Sequence, residues 1–329
     1  TMSFPYHTST PESTGSMHSF SNERDNCGMG AIANINGVRS HEIVRLAIES
    51  VCNMTHRGAV DADGKTGDGA GIMLDIPQEF FKLQVERTGH KAKKALVAVG
   101  MIFLPRTDFG AQDAARTIVE SELLKASCYM YGWRQVPIDV SILGEKAAAT
   151  RPAIEQVMFR PPKSWDADKL ERELYIVRRR IEKRARDAGL PSFYVCSLSG
   201  RTITYKGMFL AEQIDQFYPD LQDDLFTSRA ALFHQRYSTN TFPEWWLAHP
   251  FRMIAHNGEI NTVRANTNFM KNHEIKMASS AFGKRAEDVK PVIQKGSSDS
   301  ASLDAVFELL VRAGRSAPLA KTLLVPEAY

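Results

Sequence analysis

The 329-residue sequence has no apolar run approaching the ~18 residues that a membrane-crossing helix needs, and its mean hydropathy is −0.28. A membrane span is therefore not expected. Charge of either sign is scarcely in excess: 41 Lys and Arg against 38 Asp and Glu leave a formal +3. That field is too weak to make nucleic acid or an anionic membrane the main partner. Only four cysteines occur, Cys27, Cys52, Cys128 and Cys196, far apart and without a C-x-x-C pair. Such spacing gives neither a disulfide framework nor a zinc or iron–sulfur ligand set, so no metal site is expected and the compartment reads as reducing and cytoplasmic. No repeat of fixed period is present. What remains is 43% hydrophobic and 24% charged, an ordinary globular balance in a chain long enough for two domains or one large core.

Residues 1–22 (TMSFPYHTSTPESTGSMHSFSN) are rich in Ser and Thr and lack both an apolar h-region and any Arg or Lys. They fit neither a secretory signal nor a mitochondrial transit peptide, and residues 1–26 are expected to be a disordered leader or propeptide. From Asn26 the texture is that of a folded domain. CGMGAIANI (27–35) is small and apolar, as in a buried strand. Residues 41–55 space Ile43, Leu46, Ala47, Ser50, Val51 and Met54 three and four apart, one face of a helix. Strands are expected at GIMLDI (71–76) and ALVAVGMIFL (95–104), with helices after Pro77 and over 111–125. Residues 168–188 carry Leu170, Leu174, Val177, Ile181 and Ala185 as an apolar stripe on a charged helix. FYVCSL (193–198) and TITYKG (202–207) read as strands joined by a tight hairpin at Ser199, Gly200 and Arg201. ALFHQRYS (231–238) and FRMIAHNG (251–258) read as further strands, and 259–275 and 299–313 as helices. Segregated hairpins and helices predict α+β layers, not alternating βαβ units. The sequence stops after PLAKTLLVPEAY (318–329) with no polar tail, so continuation in a longer parent is expected.

GAVDADGKT (58–66) mimics a phosphate loop, but five residues instead of four separate Gly58 from Gly64, and Asp61 and Asp63 would repel phosphate. A turn bringing backbone close to another element is the better reading of 57–71. Arg178, Arg179 and Arg180, with Lys183, Arg184 and Arg186, share their helix with Glu171, Glu173 and Glu182. A solvated face, or one docking on an acidic partner surface, is expected there, not an RNA contact. Cys27 stands at the junction of leader and fold. If the leader is cut after Asn26, one residue holds both a thiol and an α-amine titrating near ~8, and that amine can serve as base for its own side chain. Downstream, Asn257 and Gly258 of HNGEI offer a side-chain amide and a backbone N–H to a developing oxyanion. Arg236 in HQRYSTNT suits a bidentate grip on a carboxylate. Asp299 in GSSDSASLD lies near a helix start, as an ammonium partner or merely as a cap.

In this order the segments RDNCGMG, THRGAVDADGKTGDGAG, YGWRQVP, LYIVRRRIEKR, CSLSGRTITYKGM, HQRYSTNTFP, PFRMIAHNGEINT, KPVIQKGSSDSASLD and LLVPEA resemble the glutaminase domain of the glutamate synthase large subunit. That domain is a class II glutamine amidotransferase of the N-terminal-nucleophile hydrolase superfamily. The resemblance runs from Arg24 to about Ala328 and divides the chain into a leader, 1–26, and a C-terminally truncated glutaminase domain, 27–329. It implies a four-layer αββα sandwich, incomplete at the C-terminal edge. Cys27 falls on the nucleophile, Asn257 and Gly258 on the oxyanion pair, Arg236 with Thr239 on the residues holding the glutamine α-carboxylate, and Asp299 on the acid receiving the α-ammonium. The implied reaction is hydrolysis of L-glutamine through a Cys27 thioester. No cofactor is implied within this chain. FMN and an iron–sulfur cluster are expected in the rest of the parent, as are the remaining large-subunit domains and a small electron-delivering subunit as partners, with no nucleic acid and no membrane. The alternative is a catalytically silent fragment that serves only folding or assembly.

Overall fold

The computed structural model describes residues 27–190, 192–238 and 241–325. The leader and Thr239 lie outside the described residues. The strands are β1 (Gly28–Ala33), β2 (Ala70–Asp75), β3 (Ala98–Leu104), β4 (Tyr129–Gln135), β5 (Ala153–Arg160), β6 (Tyr194–Ser199), β7 (Thr202–Gly207) and β8 (Ala230–Gln235). The helices are α1 (His41–Cys52), α2 (Gln78–Arg87), α3 (Phe109–Lys125), α4 (Glu145–Thr150), α5 (Ala167–Asp187), α6 (Ile214–Phe217), α7 (Val263–Ile275), α8 (Asp299–Arg312) and α9 (Ala317–Leu324).

The strands form two antiparallel four-stranded sheets, ordered β1-β8-β2-β7 and β4-β5-β3-β6. Strand β3 shows why the second sheet is sandwiched. All seven of its residues are buried, and its side chains alternate between faces. Ala98, Ile102 and Leu104 pack with Ile118, Val119, Leu174 and Val177 of α3 and α5. Val99, Met101 and Phe103 join Ile72, Leu74, Ile203 and Tyr205 of the first sheet in the larger core. Helix α1 lies along β1 and β8, burying Ile43, Val44, Ala47 and Val51. The α+β sandwich of two sheets between helical layers is thus the observed fold.

Three local expectations need correction. β6 and β7 do not form a hairpin, because they lie in different sheets. The link is held by the buried Glu171 carboxylate of α5, which accepts from Ser199 Oγ and Gly200 N–H, both at 2.9 Å. Residues 251–258 form no strand, since the N–H groups of 252–254 are taken by a side chain instead of a neighbouring strand. Finally, Arg178 and Arg179 are buried, not solvated. Arg178 pairs with Glu182 and with Glu308 of α8, each at 2.5 Å, and Arg179 pairs with Glu182 at 2.7 Å. The arginine run does dock on acid, but the acid belongs to its own chain. Low-dielectric burial demands that compensation.

The Gly-rich stretch 57–71 behaves as the close-approach turn expected of it. A Cβ on Gly71 would meet His249 O at 2.3 Å, and one on Gly67 would meet Phe209 O at 2.7 Å.

Candidate active site

Strand register converges three chain ends on one point. Gly28 of β1 and Ala70 of β2 both pair with Gln235, the last residue of β8. Cys27, Gly69 and Arg236, one step beyond, are therefore neighbours. Arg236 N–H donates to Gly69 O at 2.8 Å. The Cys27 Sγ accepts from Tyr237 N–H at 3.1 Å and donates to Tyr237 O at 3.2 Å. The thiol is half-buried and lines a cleft of about 410 Å³ together with Arg236, Asn257, Gly258 and Asp299. Five of the six residues singled out in the sequence thus share one cavity, and Thr239 is the sixth, outside the described residues.

Burial pushes the Cys27 thiol above its ordinary value, against smaller opposing pulls from the Tyr237 N–H and the Arg236 charge. Burial thus favours the protonated thiol. Arg236 is only 5% exposed, yet among the described residues it makes no ion pair. Its Nη2 donates to Thr241 Oγ1 at 2.8 Å and Ser238 Oγ at 3.1 Å. Burial lowers its proton affinity, and the Asp68 charge works the other way. A desolvated guanidinium held by two hydroxyls and the Asp68 carbonyl, with no ion pair among the described residues, is prepared for an anion.

Asp299 opens α8. It is not the cap, since Ser298 takes that role by accepting from Ala301 N–H at 3.1 Å. The Asp299 carboxylate accepts from Ile260 N–H at 2.9 Å and Ser300 N–H at 2.7 Å, and among the described residues no cation pairs with it. The cleft thus presents a cation and an anion, the two ends an α-amino acid requires.

Asn257 and Gly258 lie in an exposed loop ahead of α7, not at the strand-to-helix junction expected. The Gly258 N–H points back to His256 Nδ1 at 3.0 Å, so its use as a donor to a bound group requires release from that ring. Beneath the loop, His234 stacks on His249 with centroids 4.2 Å apart, and His234 Nε2 bonds His256 O at 3.1 Å. Because a carbonyl can only accept, Nε2 carries the His234 proton. Burial holds all three rings below their ordinary pKa, His234 at about 3.

Sequence reasoning passed over Asp68, whose carboxylate accepts from Ser238 N–H at 2.6 Å and so sets the segment after Arg236. Thr241 and the three histidines went unremarked too. The available signals were an Asp between glycines in GDGAG and the His that opens both HQRYSTNT and HNGEI. Among the described residues no cluster of His, Cys, Asp or Glu could hold a metal ion. None of their helices is long and apolar enough to cross a membrane. The four cysteines are free.

The sequence profile of the glutamine amidotransferases, class II, matches residues 27–329. The chain belongs to that family. Its relatives include the glutamate synthase [NADPH] large chain of Azospirillum brasilense, 56% identical over 315 residues that make up 96% of this chain and 21% of that one. Ferredoxin-dependent glutamate synthase 1, chloroplastic/mitochondrial, of Arabidopsis thaliana is 42% identical over 309 residues, 93% of this chain and 19% of the other. Ferredoxin-dependent glutamate synthase 2 of Synechocystis sp. is 40% identical over 341 residues, 100% of this chain and 22% of that relative. The chain is a glutamine amidotransferase part of the glutamate synthase kind, spanning about a fifth of these relatives' length.

Proposed function

We propose that the chain hydrolyses L-glutamine to L-glutamate and ammonia, with Cys27 as nucleophile. The observation that carries this reading is the shared cleft: a thiol, a buried guanidinium and a carboxylate around one cavity, the last two without an ion-pair partner among the described residues. Arg236 grips the substrate α-carboxylate, with Thr239 beside it in the motif, and Asp299 receives the α-ammonium. The side-chain amide is then presented to Cys27 Sγ. Because burial keeps the thiol protonated, the free α-amine of Cys27, titrating near ~8, takes its proton as sulfur attacks the amide carbon. The Asn257 side chain and the Gly258 N–H, released from His256, stabilise the tetrahedral oxyanion, at roughly 3 kcal/mol per donor. The amine returns the proton to departing ammonia, and water cleaves the thioester to glutamate.

That chemistry requires removal of residues 1–26, since an acylated amine is no base. In a glutamate synthase parent the ammonia passes to 2-oxoglutarate. The electrons, FMN and iron–sulfur cluster belong to the remaining large-subunit domains and a small electron-delivering subunit, with no cofactor in this chain. A free, reactive thiol suits a reducing cytoplasm. One observation favours the second reading, a silent folding or assembly module: the Gly258 N–H is already committed to His256. The test is incubation of leader-free protein with glutamine and, separately, with an electrophilic glutamine analogue. Ammonia release and a single adduct on Cys27, both lost in Cys27→Ala, support catalysis. An adduct that persists in Cys27→Ala, or no ammonia from leader-free protein, contradicts it.

A further inference from the structure

Among the described residues the loop that carries Asn257 and Gly258 has no strand partner, and one helix holds both of its ends. The Asp304 carboxylate of α8 is fully buried and accepts three successive backbone N–H groups, those of Arg252 at 3.3 Å, Met253 at 2.9 Å and Ile254 at 3.0 Å. Asp299, five residues earlier on α8 and about 7.5 Å away along the axis, accepts from Ile260 N–H at 2.9 Å. Residues 255–259 are slung between these two carboxylates. Within that span His256 O accepts from His234 Nε2, and Gly258 N–H donates to His256 Nδ1. The Arg252 side chain fixes the loop's first residue from the other side, donating to Val195 O at 2.7 Å and pairing with Glu182 at 3.1 Å.

We infer that Asp304 is a positioning residue for glutamine hydrolysis: it sets the height and direction of the Asn257–Gly258 loop over Cys27 without touching substrate. The inference rests on the proposed oxyanion role of that loop. Three N–H groups converging on one carboxylate fix the backbone of 252–254 without regular secondary structure, and an orphaned buried N–H is costly enough to keep them there. Asp299 gives the same helix a second duty, because the residue receiving the substrate ammonium also anchors the loop's far end. Helix α8 therefore places the α-ammonium seat and the oxyanion donors in one frame, so a shift of the helix moves both relative to the sulfur.

The test uses leader-free protein and Asp304→Asn, which keeps the shape and one acceptor oxygen but turns the other atom into a donor facing N–H groups. Glutamine hydrolysis is compared with alkylation of Cys27 by iodoacetamide, a displacement that builds no oxyanion. The expected result is a fall in kcat of about 10–100-fold, KM within a factor of a few, and an unchanged alkylation rate. Inhibition by an aldehyde analogue of glutamine, whose thiol adduct places oxygen at the oxyanion position, weakens in parallel. Unchanged kcat, or a loss confined to KM, overturns the inference. So does an equal loss in hydrolysis and alkylation, which marks general disruption. If Asp304→Asn does not fold, amide exchange in the unsubstituted protein decides: the 252–254 amides must be strongly protected while Asn257 exchanges freely, and rapid exchange at 252–254 overturns it. An unsubstituted protein that neither hydrolyses glutamine nor takes the analogue refutes the underlying reading instead.

Discussion

Arg236, one residue past the end of β8, and Asp299, the first residue of α8, line one cleft, and among the described residues neither has an ion-pair partner. They are near enough for the Asp299 charge to raise the proton affinity of Arg236. A buried cation and a carboxylate kept apart in this way are costly unless something bridges them, and the α-amino acid of the proposed function would carry both complementary charges.

Substitution at either pole should therefore weaken binding more than turnover. Arg236→Lys removes the planar fork, and Asp299→Asn removes the counter-charge while keeping an acceptor for Ile260 N–H. Each is expected to raise KM for glutamine by about tenfold or more, with a smaller change in kcat. Steady-state kinetics check this, and a KM unchanged in both variants would count against the two-pole reading.

Acid should destabilise the fold through the histidine layer. Buried His234 is held at about 3 against an ordinary 6.5, and His249 is likewise held well below its ordinary value. The unfolded chain thus binds more protons than the folded one between those limits. Stability is complete above about pH 6.5 and falls as pH drops toward 3, by up to about 1.4 kcal/mol per pH unit for each such ring. Urea melts at pH 7.5 and 5 measure it. His234→Gln, which can still donate to His256 O, should flatten the dependence, and an equally steep profile in that variant would disprove the assignment.

How much was legible beforehand follows from which residues carry their own chemistry. Cys27, Arg236, Asn257 and Asp299 are types whose catalytic and binding uses are few, set in short unusual motifs, and the structure gathers them in one cleft. Strand β3 was legible because an apolar run of β-formers admits few alternatives. Asp304 was not, since an Asp within SASLDAV reads as an ordinary polar helix residue until the loop above it is seen. FRMI reads as strand by composition, yet the N–H groups of Arg252, Met253 and Ile254 find a carboxylate instead. The β6–β7 turn has hairpin chemistry, but Glu171 beneath it sends the strands to different sheets. In each failure a distant side chain overrode a local preference.

The buried network joining α5 to α8 should be fragile to one-sided removal. Glu308→Ala deprives Arg178 of a 2.5 Å partner in a site where both side chains are nearly inaccessible. A loss of about 3–5 kcal/mol is expected, less for the double variant Arg178→Met, Glu308→Leu, which removes both charges. Denaturant unfolding checks this, and a double variant as unstable as the single one would contradict the charge-burial account.

The proposed scheme turns on the α-amine of Cys27 acting as base, and a single added residue tests it. Protein beginning at Cys27 and protein beginning at Asn26 differ by one amide, which converts that amine into a group unable to accept a proton. Glutamine hydrolysis measured on the two, with far-UV circular dichroism and thiol titration confirming equal folding, should show activity in the first and a loss of about 10²-fold or more in the second. Equal rates would contradict the account.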